Sequence, residues 1–316
     1  MLSLTPIVLI ADPLAPEAEQ ALGDAVEIRR VAGTRRPDLL QAVCDADALI
    51  VRSATMVDRE VIDAAERLRV IGRAGVGIDN IDVDAAAARG ITVANTPTAN
   101  IHSACEHAIA LLLAAARAIP TANDSTHAGG WERSRFHGIE IYGKTVGVVG
   151  FGRVGRLVAE RLSAFGTRVL AFDPYPDHAA AEGLGVELVD LDTLVARSDF
   201  VSIHVPKTPE TQSLFDERLL RSAKPGQILV NTSRGGVVDE FALAAVLQDG
   251  PIAAAGIDVF TTEPPQDSPL LGLDNAVLTP HLGAQTREAQ ARAGVDVAHA
   301  VLAALRGETV PGAIHG

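Results

Sequence analysis

Short apolar runs alternate with segments of helical period along almost the whole chain, and that rhythm leaves few folds open. PIVLIAD (6–12), ALIVRS (48–53), RVIGRAG (69–75) and ITVANT (91–96) fit strands buried on both faces. Between them stand APEAEQALG, RRPDLLQAVCDA, DREVIDAAE and DVDAAAARG, each with its apolar residues at helical spacing. Strand, helix and strand in that order make a parallel sheet crossed by helices. A long Ala/Leu helix is predicted over Ile101–Arg117, followed by a charged, glycine-containing stretch, HAGGWERSRFHGIEIYG. A second series then begins, with predicted strands at TVGVVG, RVLAFDP, FVSIHVP, QILVNTS, AAAGIDVF and AVLTPH. Six strands with interleaved helices suit the two mononucleotide-binding halves of a doubly wound sheet. One further amphipathic helix, TREAQARAGVDVAHAVLAALRG, is expected to return to the first domain.

The length, 316 residues, allows two domains of ordinary size. A formal net charge of −13 speaks against nucleic-acid or anionic-membrane surfaces, so an anionic small molecule would need a local basic cluster to draw it in. Cys44 and Cys105 are the two cysteines; they suggest neither a disulfide framework nor a metal site, and a reducing cytoplasm is expected. The opening MLSLTPIVLIADP lacks a basic leader and reads as a first strand, while the longest apolar stretch, Ile109–Ala116, is too short to span a bilayer. A soluble protein without membrane partners is expected.

Gly150-Phe151-Gly152-Arg153-Val154-Gly155 matches G-x-G-x-x-G between a predicted strand and a predicted helix. Gly150 permits a tight turn, Gly152 lets backbone approach a pyrophosphate, and Gly155 lets helix pack on strand. The helix N-terminus offers unpaired N–H groups and partial positive charge to the phosphates. Asp173 ends the following strand, where a carboxylate accepts from ribose hydroxyls and repels a 2′-phosphate, so NAD is favoured over NADP. Further along, Arg234, Glu263 and His281 each follow an apolar strand run. Ligands in open parallel sheets bind outside the carboxyl ends of strands. Arg234 suits a bidentate grip on a substrate carboxylate. His281 suits proton transfer, and Glu263 on its other ring nitrogen would fix the tautomer and favour the imidazolium. His102, His107 and His204 are expected to be structural or surface residues.

The chain resembles the D-isomer-specific 2-hydroxyacid dehydrogenases over nearly its whole length. The likeness rests on VRSAT (51–55), GRAGVGIDNID (72–82), VANTPTANIHSACEHAIALLL (93–113), the segment from Gly129 to Gly155, NTSRGGVVDE (231–240), GIDVF.TEP (256–264) and TPHLGAQTREAQ (279–290). That resemblance implies a Rossmann-type dinucleotide-binding domain over 100–285. It also implies a flavodoxin-like substrate-binding domain built from 1–99 and 286–316, and a homodimer formed through the former. Arg234, Glu263 and His281 match the family's catalytic positions. Arg153, Val154, Asp173, Pro206, Thr211, Thr232, Ser233, Arg234, Asp258, His281, Gly283 and Ala284 match cofactor contacts, beside the three loop glycines. Arg52, Ser53, Val76, Gly77, Asn100, Arg234 and His281 match the substrate side. No metal is implied.

The WER and HLGAQT blocks are most similar to members that oxidise 3-phospho-D-glycerate. A phosphate would need more cations, for which Arg52 stands first and Arg73, Arg133 and Arg135 follow. Trp131 is read as a packing anchor between subunits. Many such members continue into C-terminal domains that bind serine; none stands within these residues, and feedback through one is not expected. Two other readings are a reductase of glyoxylate, hydroxypyruvate or another 2-oxo acid, and an NADH-sensing protein that works by binding a partner.

Overall fold

A computed structural model of the chain describes residues 5–314. The chain divides into two compact units, Met1–Asn100 with Ala284–Gly316, and Ile101–Gly283. Positions 1–4 and 315–316, at the outer ends of the expected first domain, lie outside the described residues.

The first unit runs β1 (Ile7–Ile10), α1 (Pro16–Leu22), β2 (Glu27–Arg30), α2 (Arg36–Val43), β3 (Ala48–Val51), α3 (Arg59–Ala64), β4 (Val70–Arg73), α4 (Val83–Ala88) and β5 (Thr92–Asn95). The second holds α5 (Ile101–Ala116), α6 (Ile119–His127), β6 (Thr145–Val149), α7 (Arg153–Ser163), β7 (Arg168–Phe172), α8 (His178–Leu184) and β8 (Glu187–Leu188). It continues with α9 (Leu191–Arg197), β9 (Phe200–Ile203), α10 (Glu217–Arg221), β10 (Gln227–Asn231), α11 (Glu240–Asp249), β11 (Ile252–Ile257) and β12 (Ala276–Leu278). The chain then returns to the first unit as α12 (Arg287–Arg306) and β13 (Ala313–Ile314).

The first sheet has the order β13-β5-β4-β3-β1-β2, parallel except for β13, which pairs antiparallel with β5. Read without β13, that is the flavodoxin-like order. One face is covered by α12, whose Val297 and Val301 join Val8, Ile50 and Val70 in a single core. Gly72 makes this possible, since a Cβ there would lie 2.6 Å from a Val297 methyl.

The second sheet is parallel throughout, in the order β12-β11-β10-β9-β6-β7-β8. Strand order reverses between β6 and β9, the crevice at which doubly wound sheets bind nucleotides. Its central strands are apolar because both faces are covered; β9 and β10 are buried along their whole length. Asp side chains cap α3, α4 and α8 to α11, each accepting an amide of the first turn. That explains why the helices begin where they do.

The seven-stranded sheet corrects the expectation of six, because β8 is only two residues long and carries no apolar run. β2 (EIRR), β13 and α6 were likewise invisible to the apolar pattern. The first two are short edge strands, and α6 begins with a proline and is rich in Thr, Asn, Asp and Ser. Among the described residues no single helix is long and apolar enough to cross a membrane. Only α5 and α6 together pass by length, bent by 62°, and α5 buries Leu111 and Leu112 in the second unit's core.

Candidate active site

The glycine-rich turn joins β6 to α7 beside the strand-order reversal. Gly150 has φ +93, and a Cβ there would sit 2.7 Å from the His204 carbonyl at the end of β9. A Cβ at Gly155 would lie 2.0 Å from the Gly150 carbonyl oxygen, so helix and turn meet backbone to backbone. Gly152 caps α7 with no side-chain hydrogen bond, and nothing stands within 4 Å of where its Cβ would be. Where its neighbours spend an aspartate on their first turn, this helix leaves an open N-terminus. Asp173 stands just past β7 and accepts from the Phe151 amide at 2.7 Å and the Tyr175 amide at 2.9 Å. A carboxylate has about four acceptor sites, so Asp173 keeps capacity for ribose hydroxyls.

Other expected cofactor positions gather at the same carboxyl ends. Arg153 and Val154 open α7. Thr211 donates to the Pro206 carbonyl at 2.7 Å and closes the loop after β9. Ser233 bonds to Asn231 Oδ1 at 2.8 Å, and the Thr232 hydroxyl is buried with no partner. An open glycine cradle, an acid at the next strand end and an orphaned buried hydroxyl fit a dinucleotide. Ala284 falls at the first residue of the returning segment and belongs to the first unit.

Arg234, Glu263 and His281 follow β10, β11 and β12, three neighbouring strands. Arg234 donates to the Ser233 carbonyl at 2.8 Å, and its own carbonyl accepts from Asn231 at 3.1 Å. Gly235 is obligatory beside it, because a Cβ there would lie 1.8 Å from the Phe260 carbonyl oxygen. Glu240, on α11, holds the next loop by accepting from the Thr261 amide at 2.6 Å and the Ser268 hydroxyl at 2.5 Å. Glu263 accepts from the Phe260 amide through Oε1 at 3.1 Å, and its Oε2 is 2.8 Å from His281 Nδ1. Burial alone would push the Glu263 carboxyl up; the hydrogen bonds from His281 and Phe260 hold it below its usual range.

With Nδ1 engaged by Glu263, the other ring nitrogen, Nε2, is the one available to a ligand. His281 itself has φ 55, in the left-handed region, a conformation that costs a non-glycine residue about 1–2 kcal/mol. Asp258 supports it. This carboxylate is fully buried and accepts from the Leu282 amide at 2.7 Å, the Gly283 amide at 2.9 Å and the Thr279 hydroxyl at 2.6 Å. His107 Nε2, from α5, lies 3.1 Å from the same carboxylate, a contact that strand patterning did not reveal. His204 Nε2 lies 2.8 Å from the Ser202 hydroxyl, and burial pushes that imidazole down to about 4.

The expected substrate residues of the first unit form their own cluster. Buried Asp12 accepts from the Arg52 amide at 2.5 Å and the Thr55 hydroxyl at 2.9 Å, while Asn80 donates to the Arg52 carbonyl at 2.8 Å. The Arg52 guanidinium reaches Gln285 at 3.1 Å. Ser53 is exposed, Val76 offers its carbonyl to Asn95 at 2.6 Å, and Gly77 and Asn100 are half-buried. Arg73 folds back over Gly75 and donates to the Ala74 carbonyl at 3.3 Å. Arg133 and Arg135 bound a short 3-10 turn after α6. Arg135 pairs with Asp274, ahead of β12, whereas His281 follows that strand. Among the described residues no cluster of three or more His, Cys, Asp or Glu could hold a metal ion.

The family model for the NAD binding domain of D-isomer specific 2-hydroxyacid dehydrogenases matches residues 109–283. The D-3-phosphoglycerate dehydrogenase of Mycobacterium tuberculosis (strain ATCC 25618 / H37Rv) is 60% identical over 310 residues, covering 98% of this chain and 59% of the relative. That of Methanocaldococcus jannaschii is 49% identical over 302 residues, covering 95% of this chain and 58% of the relative. The chain therefore spans less than two thirds of the length of these relatives. Among solved structures, the TT0316 protein from Thermus thermophilus superposes with a TM-score of 0.91 at 35% identity, covering 98% of this chain and 100% of that one.

Proposed function

The chain belongs to the D-isomer specific 2-hydroxyacid dehydrogenase family, and from that premise we propose that it oxidises 3-phospho-D-glycerate to 3-phosphohydroxypyruvate with NAD. The observation that carries the reading is the 2.8 Å contact between His281 and Glu263, set at neighbouring strand ends in a glycine-loop nucleotide domain. The particular acid rests on likeness to the phosphoglycerate dehydrogenases. Bound NAD would supply the hydride acceptor for the carbon that bears the substrate hydroxyl. Arg234 grips the substrate carboxylate and polarises the reacting centre. His281 Nε2 takes the hydroxyl proton as the carbonyl forms, and Glu263 stabilises the resulting imidazolium through Nδ1. In the reverse direction the same imidazolium returns the proton. Gly150, Gly152, Gly155 and the first turn of α7 receive the pyrophosphate, and Asp173 the ribose.

We assign cofactor binding to 100–285 and substrate recognition to 1–99 with 286–316, through Arg52, Ser53, Val76, Gly77 and Asn100. For the substrate phosphate the first choice is Arg52, supported by the Asp12 and Asn80 clamp that fixes its backbone. Arg52→Ala is expected to raise KM for 3-phosphoglycerate about tenfold or more, the scale of one lost charge-assisted contact, and to leave KM for unphosphorylated glycerate nearly unchanged. Initial rates on both acids test this. Equal effects would remove the phosphate assignment and favour a glyoxylate or hydroxypyruvate reductase. A wild type that binds NADH and turns over no 2-hydroxy acid would favour a binding protein. A homodimer through the second unit is supported by Trp131, an aromatic 80% exposed after α6. A cytoplasmic location is supported by two free cysteines.

Glu263→Gln is expected to lower kcat in both directions, because the amide no longer offers a carboxylate to His281 Nδ1 and the tautomer and orientation of the ring are no longer fixed. Stability has its own sign. A carboxyl held below its unfolded value stabilises the fold above that value, and the contribution is lost as pH falls through the folded value. Initial rates in both directions check the first point, and a kcat equal to wild type would contradict the pairing.

A further inference from the structure

The proton-transfer residue of the proposed reaction stands on a segment whose fixings converge on one buried acid. Three consecutive amides end on Asp258: His281 N–H on its main-chain oxygen at 2.9 Å, Leu282 N–H on Oδ1 at 2.7 Å and Gly283 N–H on Oδ2 at 2.9 Å. Gly283 keeps the approach close, since a Cβ there would touch Oδ2 at 3.4 Å. Asp258 has no solvent exposure, so its charge must be met by donors within the protein. Two are side chains: the Thr279 hydroxyl at 2.6 Å and His107 Nε2 at 3.1 Å. His107 comes from α5, remote in sequence, and its Nε2 is also 3.0 Å from the Thr279 oxygen.

The hydrogen count fixes the direction of these bonds. Thr279 has one hydroxyl hydrogen, and it lies on the Asp258 carboxylate. Both oxygens facing His107 Nε2 therefore present lone pairs, so that nitrogen carries the hydrogen and donates to both. Burial would push the Asp258 carboxyl up, and the bonds from His107, Thr279 and Leu282 hold it below its ordinary value.

We infer that His107 is a positioning residue for His281, acting through Asp258 and Thr279 to hold the 279–283 segment in the left-handed turn that presents the imidazole. The inference rests on the dehydrogenase reading above, in which His281 transfers the proton. Without the His107 hydrogen, the carboxylate loses a donor that keeps it ionised. A protonated or shifted Asp258 carboxyl can no longer accept both the Leu282 and Gly283 amides in their present geometry, and the turn slackens. The role belongs to one N–H, not to the bulk of a ring, and a side chain that restores a donor there restores the function.

The experiment compares His107→Leu, His107→Gln and Thr279→Val with wild type, in the cofactor-free and the working enzyme. In the cofactor-free protein, amide exchange at Leu282 and Gly283 is expected to speed up about tenfold in His107→Leu and Thr279→Val, with β6 unchanged, because these bonds open locally. His107→Gln, whose amide can place an N–H near the Nε2 position, is expected to exchange as wild type. With NAD and hydroxy acid, kcat falls about 10- to 100-fold in His107→Leu, the scale of a reacting group displaced by a fraction of an ångström, while KM for the acid changes less than threefold. His107→Gln recovers most of kcat. Wild-type exchange at Leu282 and Gly283 in His107→Leu overturns the inference, as does a His107→Gln enzyme as slow as His107→Leu. A wild type inert toward every 2-hydroxy acid sinks the dehydrogenase reading instead, and the exchange comparison still decides whether His107 holds the turn.

Discussion

Replacing His281 with alanine is expected to lower kcat by about 10²–10⁴-fold, the ordinary contribution of a positioned acid–base group. NADH affinity is expected to stay close to wild type, because the loop glycines and Asp173 remain. Initial rates with a fluorescence titration of NADH separate the two quantities. Alanine adds a complication at this position, where the backbone is left-handed with φ 55. His281→Asn is the better second variant, since asparagine tolerates that region yet cannot carry the proton. Equal losses in both variants assign the effect to chemistry. A kcat within tenfold of wild type in either would take His281 out of the proton path.

Arg234→Ala is expected to cost about 2–5 kcal/mol in kcat/KM, roughly a factor of 30 to several thousand, the scale of a hydrogen-bonded charge pair truncated on one side. Arg234→Lys should recover little, because an ammonium cannot reproduce the planar two-point grip on a carboxylate. The backbone here is held independently by Asn231 and by the close passage of Gly235 against Phe260, so fold loss is not the expected cause. Kinetics on substrate esters and free acids read the role directly. A variant that loses as much with an ester as with the acid would show that Arg234 does not hold the carboxylate.

The positions of Arg234, Glu263 and His281 were legible because each follows an apolar run, and buried parallel strands must be apolar on both faces. The same logic exposed Gly150 to Gly155, where residue type and backbone geometry are tied together. Edge strands escaped it. EIRR forms β2 with charged side chains because an edge needs only backbone pairing on one side. Arg135 was not placed by its motif: a charged residue near a motif says nothing about which end of a strand its loop reaches, and here it bonds to Asp274. The Asp258 cluster was illegible in principle. His107 and Asp258 stand 151 positions apart, and nothing in a helix pattern marks which half-buried histidine meets a distant acid.

The path of α12 has a consequence for how the molecule is made. The face of the first sheet bearing Val8, Ile50 and Val70 is sealed by Val297 and Val301, which leave the ribosome after the entire second unit has emerged. The nucleotide domain can thus mature while its older neighbour still displays an uncovered greasy surface. The first-made strands can therefore complete this core only once α12 has been synthesised.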